Sequence, residues 1–122
     1  MKVIVCDDAQ FMRRIIVGKI SKIGYEVIGE AESGEEAIEK CRLLKPDIVT
    51  MDVTLKDMSG VEAVGKIKKE NPNVSIVMCS AMGQRWIILD ALKAGAEDFV
   101  VKPFEDGRLE EAVRGLRRKS NK

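Results

Sequence analysis

Five short, mostly apolar runs punctuate the chain: Lys2–Cys6, Glu26–Ala31, Asp47–Asp52, Val74–Cys79 and Asp98–Val101. They recur at intervals of roughly twenty to twenty-five residues, too long for hairpins and right for strand–helix units. The stretches between them carry helical periodicity. Met12, Ile16, Ile20 and Ile23 recur at helical spacing over a helix expected from about Ala9 to Ile23, closed by Gly24. Ser33 with Glu36 three residues on has the form of a capping box. Ala37, Ile38, Cys41 and Leu44 are the expected buried stripe of that second helix, and Pro46 stops it. A third helix starts at Gly60 with Val61, Val64 and Ile67 inward. A fourth opens after Gly83 and stops at Gly95, and a fifth runs from about Glu105 to Arg118. The alternation predicts a doubly wound α/β fold, a five-stranded parallel sheet with five helices on both faces. The run Asp47–Asp52, opened by Pro46, reads as a strand buried on both faces. The polar and small residues of Glu26–Ala31 suit an edge. Right-handed crossovers then leave few strand orders.

A length of 122 residues suits one domain, expected over 1–119, with 120–122 a frayed C-terminal tail. With 45% hydrophobic and 34% charged residues, neither a disordered chain nor a membrane protein is indicated. A net charge of +1 provides no strong field for nucleic acid or lipid. Arg114, Arg117, Arg118, Lys119 and Lys122 read as a solvated helix end rather than a nucleic-acid site. No run reaches the length of a membrane span and no signal-peptide pattern is seen, so a cytoplasmic location is expected. Cys6, Cys41 and Cys79 are odd in number and irregularly spaced, unlike a disulfide framework or a zinc site. The chain has no histidine, which excludes Ser-His-Asp and Cys-His nucleophiles. Any bound metal is expected to have oxygen ligands.

In a parallel sheet the C-terminal ends of the strands share one edge. Here they deliver Asp7-Asp8, Asp52, Ser80 and Lys102. Three converging carboxylates repel one another, and one lysine does not neutralise them. Mg²⁺, held by carboxylates, water and phosphate oxygens, suits these residue types. Asp52 is then a candidate nucleophile that forms an aspartyl phosphate, with Lys102 and the metal screening charge and Ser80 donating a hydrogen bond. Taken singly, each residue has a blander reading: a helix cap for Asp7-Asp8, a solvated acid for Asp52, a surface charge for Lys102. Their shared edge favours chemistry. There is no glycine-rich phosphate loop, so the phosphoryl group is expected to arrive from another molecule.

The set Asp7-Asp8, Asp52, Ser80-Ala81 and Lys102-Pro103-Phe104 resembles the receiver domain of two-component response regulators over Lys2 to about Arg118. The runs Asp7–Arg13, Pro46–Asp52 and Cys79–Gln84 are similar to its single-domain chemotaxis branch. The resemblance implies the flavodoxin-like strand order 2-1-3-4-5. It implies that Asp52 is the phosphoacceptor and that Asp8, Asp52 and the Thr54 backbone carbonyl bind Mg²⁺, with Asp7 acting mainly through water. Lys102 and Ser80 would contact the phosphoryl group, and Lys102–Pro103 would be cis. Phe99 would be the switch aromatic beside a partner face carrying Ile88 and Leu92. The implied partners are a histidine kinase of the chemotaxis type, the flagellar motor switch protein and a phosphatase, with the chain acting as a monomer. Such a chain is a signalling protein that catalyses its own phosphotransfer and dephosphorylation.

Three positions depart from the family pattern: Lys56 in place of proline, Ser59 in place of aspartate or asparagine, and Phe99 in place of tyrosine. They bear on switching dynamics rather than on phosphorylation. On the fourth helix Ile87, Ala91 and Ala94 share one face, Ile88 and Leu92 lie to one side, and Trp86 and Leu89 to the other. One sheet does not bury all of these, so an exposed apolar surface is expected. Three alternatives stay open at this level. One is a stand-alone receiver in a non-chemotaxis phosphorelay, and another is a receiver cut from a DNA-binding regulator. The third is a haloacid-dehalogenase-like phosphatase, disfavoured because Thr54 stands where that family needs a second aspartate.

Overall fold

The computed structural model describes the backbone of residues 1–120 and the side chains of residues 1–116. Strands β1 (Lys2–Cys6), β2 (Glu26–Ala31), β3 (Ile48–Asp52), β4 (Ser75–Ser80) and β5 (Asp98–Val101) form one sheet. Helices α1 (Gln10–Lys22), α2 (Gly34–Leu44), α3 (Gly60–Glu70), α4 (Arg85–Ala94) and α5 (Arg108–Ser120) alternate with them. Strand order is β2-β1-β3-β4-β5 and every pairing is parallel.

Period-two alternation along the strands divides the core between the two faces of the sheet. Val3, Val5, Ile48, Val77, Cys79 and Val100 point to one face and pack on Ile16 and Ile20 of α1 and on Leu109, Val113 and Leu116 of α5. Ile4, Cys6, Val49, Met51, Ile76, Met78 and Phe99 point to the other and meet Ala37 and Cys41 of α2, Val64 and Ile67 of α3, and Ile87 and Ala91 of α4. All five residues of β3 are buried, because β3 is central in the sheet and covered on both sides. Each large aliphatic side chain so buried is worth about 1.5–3 kcal/mol. The edge strand β2 is half-buried and joins β1 through a register shift between Val3 and Ile4.

The chain ends its elements by local chemistry. Ser33 Oγ accepts from the Glu36 amide at 3.1 Å, but the Glu36 carboxylate reaches back one residue further than a capping box requires, to the Glu32 amide at 2.8 Å. Lys45, at φ 49°, caps α2 in the left-handed region, and Gly95, at φ 118°, caps α4. Two expectations need correction. Leu44 is not part of the buried stripe but 43% exposed, because the end of α2 overhangs the edge strand, where Leu44 Cδ1 lies over Gly29. Helix α5 starts at Arg108 rather than near Glu105, because Glu105–Gly107 form a turn in which the Arg108 amide bonds the Glu105 carbonyl and Gly107 takes φ 77°. The backbone of α5 continues to Ser120. Residues 121–122, and with them most of the expected frayed tail, lie outside the described residues, as do the side chains of Arg117, Arg118, Lys119 and Lys122. Among the described residues, no helix is long and apolar enough to cross a membrane.

Candidate functional site

Four of the five strands bring polar groups to one place at the C-terminal edge of the sheet. Asp52 is the last residue of β3, Ser80 the last of β4, and Asp7 and Asp8 follow β1 directly. Lys102 follows β5, and its amide bonds the Ser80 carbonyl at 2.8 Å, which extends the β4–β5 ladder past the strand and aims the side chain inward. Asp7 and Ser80 are 1% exposed and Asp52 is 8% exposed.

The lysine sits between two acids. Lys102 Nζ donates to Asp7 Oδ2 at 2.5 Å and lies 3.5 Å from Asp52 Oδ2, an ion pair rather than a direct hydrogen bond. Asp7 Oδ1 accepts from the Ala9 amide at 2.9 Å, so both of its oxygens are engaged. Asp7 thus braces the turn into α1, whose N-cap Ala9 has no side-chain cap of its own. Asp52 is less satisfied: its Oδ1 receives only the Thr54 amide, at 3.4 Å. Burial pushes the Asp52 carboxyl above the ordinary range. Lys102 opposes this, while the negative charge of Asp7 reinforces it. For Lys102, burial alone works downward, but the hydrogen bond to Asp7 and the charges of Asp52 and Asp7 outweigh it and raise the pKa. Ser80 Oγ accepts from the Met82 amide at 3.0 Å, and its hydroxyl proton remains available. Cys79, behind the site, is a core thiol pushed up to about 12 by burial.

The donor set fits a hard divalent cation. Asp7, Asp8 and Asp52 each offer one carboxylate oxygen, and the three oxygens lie within 4.8 Å of one another. All are oxygens, the cluster holds more negative charge than Lys102 neutralises, and Asp8 is half-buried and so open to solvent on one side. Mg²⁺, which keeps several waters and takes one or two carboxylates directly, matches that arrangement. Thr54 lies on the loop after Asp52, closed at its base by the antiparallel bridge Thr54–Ser59 and by the Gly60 amide on the Val53 carbonyl at 2.6 Å.

Of the proposed switch and partner residues, Phe99 is buried at 8% exposure, packed with Ile87 and Ala91 of α4. Ile88 is half-buried, and Leu92 is exposed. Trp86, Leu89 and Val101 add to the exposed apolar surface at 63%, 46% and 45%. The Lys102–Pro103 bond is cis.

Three residues near the site were not legible in the sequence. Arg13 donates from Nη1 to the Asp7 carbonyl at 2.7 Å; its place in the first turn of α1, shortly after the acid pair, is the only sequence signal. Asp57 bonds the first turn of α2, a contact between segments more than twenty residues apart that no local pattern encodes. Gly60 has no room for a side chain, because a Cβ there would lie 1.9 Å from the Asp52 carbonyl oxygen.

Comparison with known proteins points one way. The family model described as "Response regulator receiver domain" matches residues 3–114. The chain is 53% identical over 112 residues to the chemotaxis protein CheY of Thermotoga maritima, covering 92% of this chain and 93% of that one. It is 46% identical over 112 residues to CheY of Bacillus subtilis, with the same coverage. Among solved structures it superposes with a TM-score of 0.90 on a chain of the CheX–CheY–BeF₃–Mg²⁺ complex of Borrelia burgdorferi, at 30% identity, covering 95% of this chain and 88% of that one.

Proposed function

Because the chain belongs to the response regulator receiver domain family, we propose that it is a single-domain, chemotaxis-type response regulator. In this reading it accepts a phosphoryl group on Asp52 and signals by a change in partner binding. The observation that carries the reading is the placement of Lys102 Nζ between two buried carboxylates, 2.5 Å from Asp7 and 3.5 Å from Asp52, with Asp8 completing the acid cluster.

The proposed donor is a phosphohistidine on a chemotaxis-type histidine kinase. A carboxylate oxygen of Asp52 attacks phosphorus, the P–N bond breaks, and its electron pair returns to the imidazole, which takes a proton from solvent. Desolvation of Asp52 favours this attack, since its carboxylate is poorly stabilised where it stands. Lys102 neutralises charge on the transferring oxygens, and Ser80 donates its hydroxyl proton to one of them. When bound to Asp7, Asp8, Asp52 and the Thr54 carbonyl, Mg²⁺ supplies further charge neutralisation. Attack of water on phosphorus later releases inorganic phosphate and restores the carboxylate, with or without a phosphatase. These are reactions of the chain on itself, so it is a phosphoacceptor rather than an enzyme with a small-molecule substrate.

Output is assigned to the apolar face of α4, where Ile88, Leu92 and the neighbouring Phe99 respond to movement of Ser80. The partner is the flagellar motor switch protein, and the setting is the cytoplasm. Phosphorylation shifts this face only by its differential affinity for two states, so partner binding in turn favours the phosphorylated form. Intact mass after incubation with Mg²⁺ and acetyl phosphate or phosphoramidate tests the chemistry. One added phosphoryl group is expected, absent in Asp52→Asn and absent without Mg²⁺; an unchanged wild-type mass refutes the reading. Binding of a flagellar switch peptide under the same conditions, weakened by Leu92→Asp, tests the output. No phosphorylation-dependent binding counts against the motor partner.

A further inference from the structure

The loop 53–59 after Asp52 is fastened at two places. Its base is closed by the Thr54–Ser59 bridge and by the Gly60 amide on the Val53 carbonyl. Its tip is fastened to a different part of the chain. The Asp57 carboxylate accepts from the amides of Gly34 and Glu35, each at 2.9 Å, one per oxygen. These are the first two residues of α2, whose amides have no partner within the helix. Ser33 Oγ takes the next amide, that of Glu36, so the first turn of α2 is satisfied jointly by its own cap and by the tip of this loop. The bonds to Glu35 and Gly34 lower the Asp57 pKa, as expected for a carboxylate fixed at a helix N-terminus. Beside it, the Met58 side chain fills the space over Gly34. A Cβ on Gly34 would lie 2.4 Å from Met58 Cγ. Glycine at the start of α2 therefore serves the loop and not only the helix.

We propose that Asp57 is a positioning residue: by clamping the tip of loop 53–59 to the N-terminus of α2, it holds the loop in the form that presents Thr54 to the acid cluster. The inference rests on the reading of Asp52 as phosphoacceptor with Mg²⁺ beside it. It adds a reason for the lysine at position 56. A proline there would stiffen the loop covalently by fixing φ. This chain has Lys56 at that position, whose amide makes no hydrogen bond among the described residues, and supplies the stiffness one residue later by a contact to another element. Asp57 touches none of the reacting groups and acts through the loop alone.

The experiment compares wild type, Asp57→Ala, Asp57→Asn and the double variant Lys56→Pro/Asp57→Ala. Three readouts are taken: Mg²⁺ affinity by titration calorimetry, Mg²⁺ concentration for half-maximal phosphorylation by acetyl phosphate, and amide hydrogen exchange of the metal-free protein. Asp57→Ala is expected to weaken Mg²⁺ binding by about tenfold, the low end of what losing a group that orients a metal ligand costs. It is expected to raise the half-maximal Mg²⁺ concentration in step while leaving the phosphorylation rate at saturating Mg²⁺ near wild type. Exchange should accelerate at Gly34 and Glu35 and not in β3. Asp57→Asn keeps one acceptor oxygen and should fall between. Lys56→Pro/Asp57→Ala should recover Mg²⁺ affinity without recovering protection of Gly34 and Glu35. A purely structural cap on α2 predicts the opposite: faster exchange with unchanged Mg²⁺ affinity and no effect of the proline. That result overturns the proposal while leaving the phosphoacceptor reading intact. A wild-type protein that binds no Mg²⁺ and takes no phosphoryl group overturns the reading beneath it.

Discussion

Gly60→Ala and Gly65→Ala make the same chemical change five residues apart in one helix, with opposite expected outcomes. At Gly60 a Cβ would lie 1.9 Å from the Asp52 carbonyl oxygen, 2.8 Å from its carbonyl carbon and 2.9 Å from Val53 Cα, all backbone atoms. The first of these is far inside the 3.0 Å floor for such contacts. No side-chain rotation relieves it. Either α3 retreats or the end of β3 moves, and β3 is buried along its whole length. The expected loss is about 3 kcal/mol, the upper end for overpacking, or roughly 12 °C in Tm for a chain of this size. At Gly65 nothing lies within 4 Å of the added Cβ. There alanine removes unfolded-state freedom from a helix interior and should add about 0.5–1 kcal/mol, or roughly 3 °C. Thermal melts followed by circular dichroism, with Mg²⁺ chelated, read both. Because the clash falls on Asp52 itself, Gly60→Ala should also lower phosphorylation by acetyl phosphate, whereas Gly65→Ala should not. A Gly60→Ala protein that melts with wild type refutes the contact between α3 and the Asp52 backbone.

Asp52→Asn should stabilise the metal-free protein at neutral pH. The folded carboxyl has a raised pKa, so the folded protein holds its proton to higher pH than the unfolded chain, and stability falls as pH rises from the ordinary carboxylate range through the folded value. The advantage of the asparagine variant is therefore present at pH 7 and disappears in acid; denaturant melts across pH in the presence of chelator check it, and an advantage that grows in acid would contradict it. Lys102→Met leaves Asp7 and Asp52 facing each other without a cation and should cost about 3 kcal/mol without metal, with much of the loss regained on adding Mg²⁺; equal stability with and without Lys102 would show that the pair does not matter. All three cysteines are buried, with Cys41 and Cys79 pushed up to about 12. Iodoacetamide at pH 8 should leave the native protein unlabelled and modify three thiols after denaturation, as read by mass.

The fold was legible because its signals repeat. Each apolar run marks a strand of the sheet, with β3 fully buried and the edge strand β2 half-buried, and the helical stripes between them, Leu44 apart, fall in the two core clusters. The convergence of Asp7, Asp8, Asp52, Ser80 and Lys102 followed from topology alone, since parallel strands share one edge. What the sequence concealed is what depends on distance through space. Leu44 fits a helical stripe, but the wheel does not reveal that the last turn of α2 overhangs an edge strand. Asp57 looks like any polar loop residue until the loop is seen against α2. Gly60 reads as a helix start, and only the position of the Asp52 carbonyl shows why nothing larger stands there. The division of Lys102 between Asp7, at 2.5 Å, and Asp52, at 3.5 Å, is likewise set on the scale of one ångström, on which periodicity says nothing.

Lys102 and Asp7 meet across 95 residues of chain, with strands β3 and β4 laid between their own strands in the sheet. β1 and β3 are direct neighbours, so Asp7 and Asp52 are brought together by their pairing alone, whereas Lys102 arrives only with β5, two strands further on. On the proposed reading, the capacity to accept a phosphoryl group therefore reports that β5 has docked, and not merely that the acids have met.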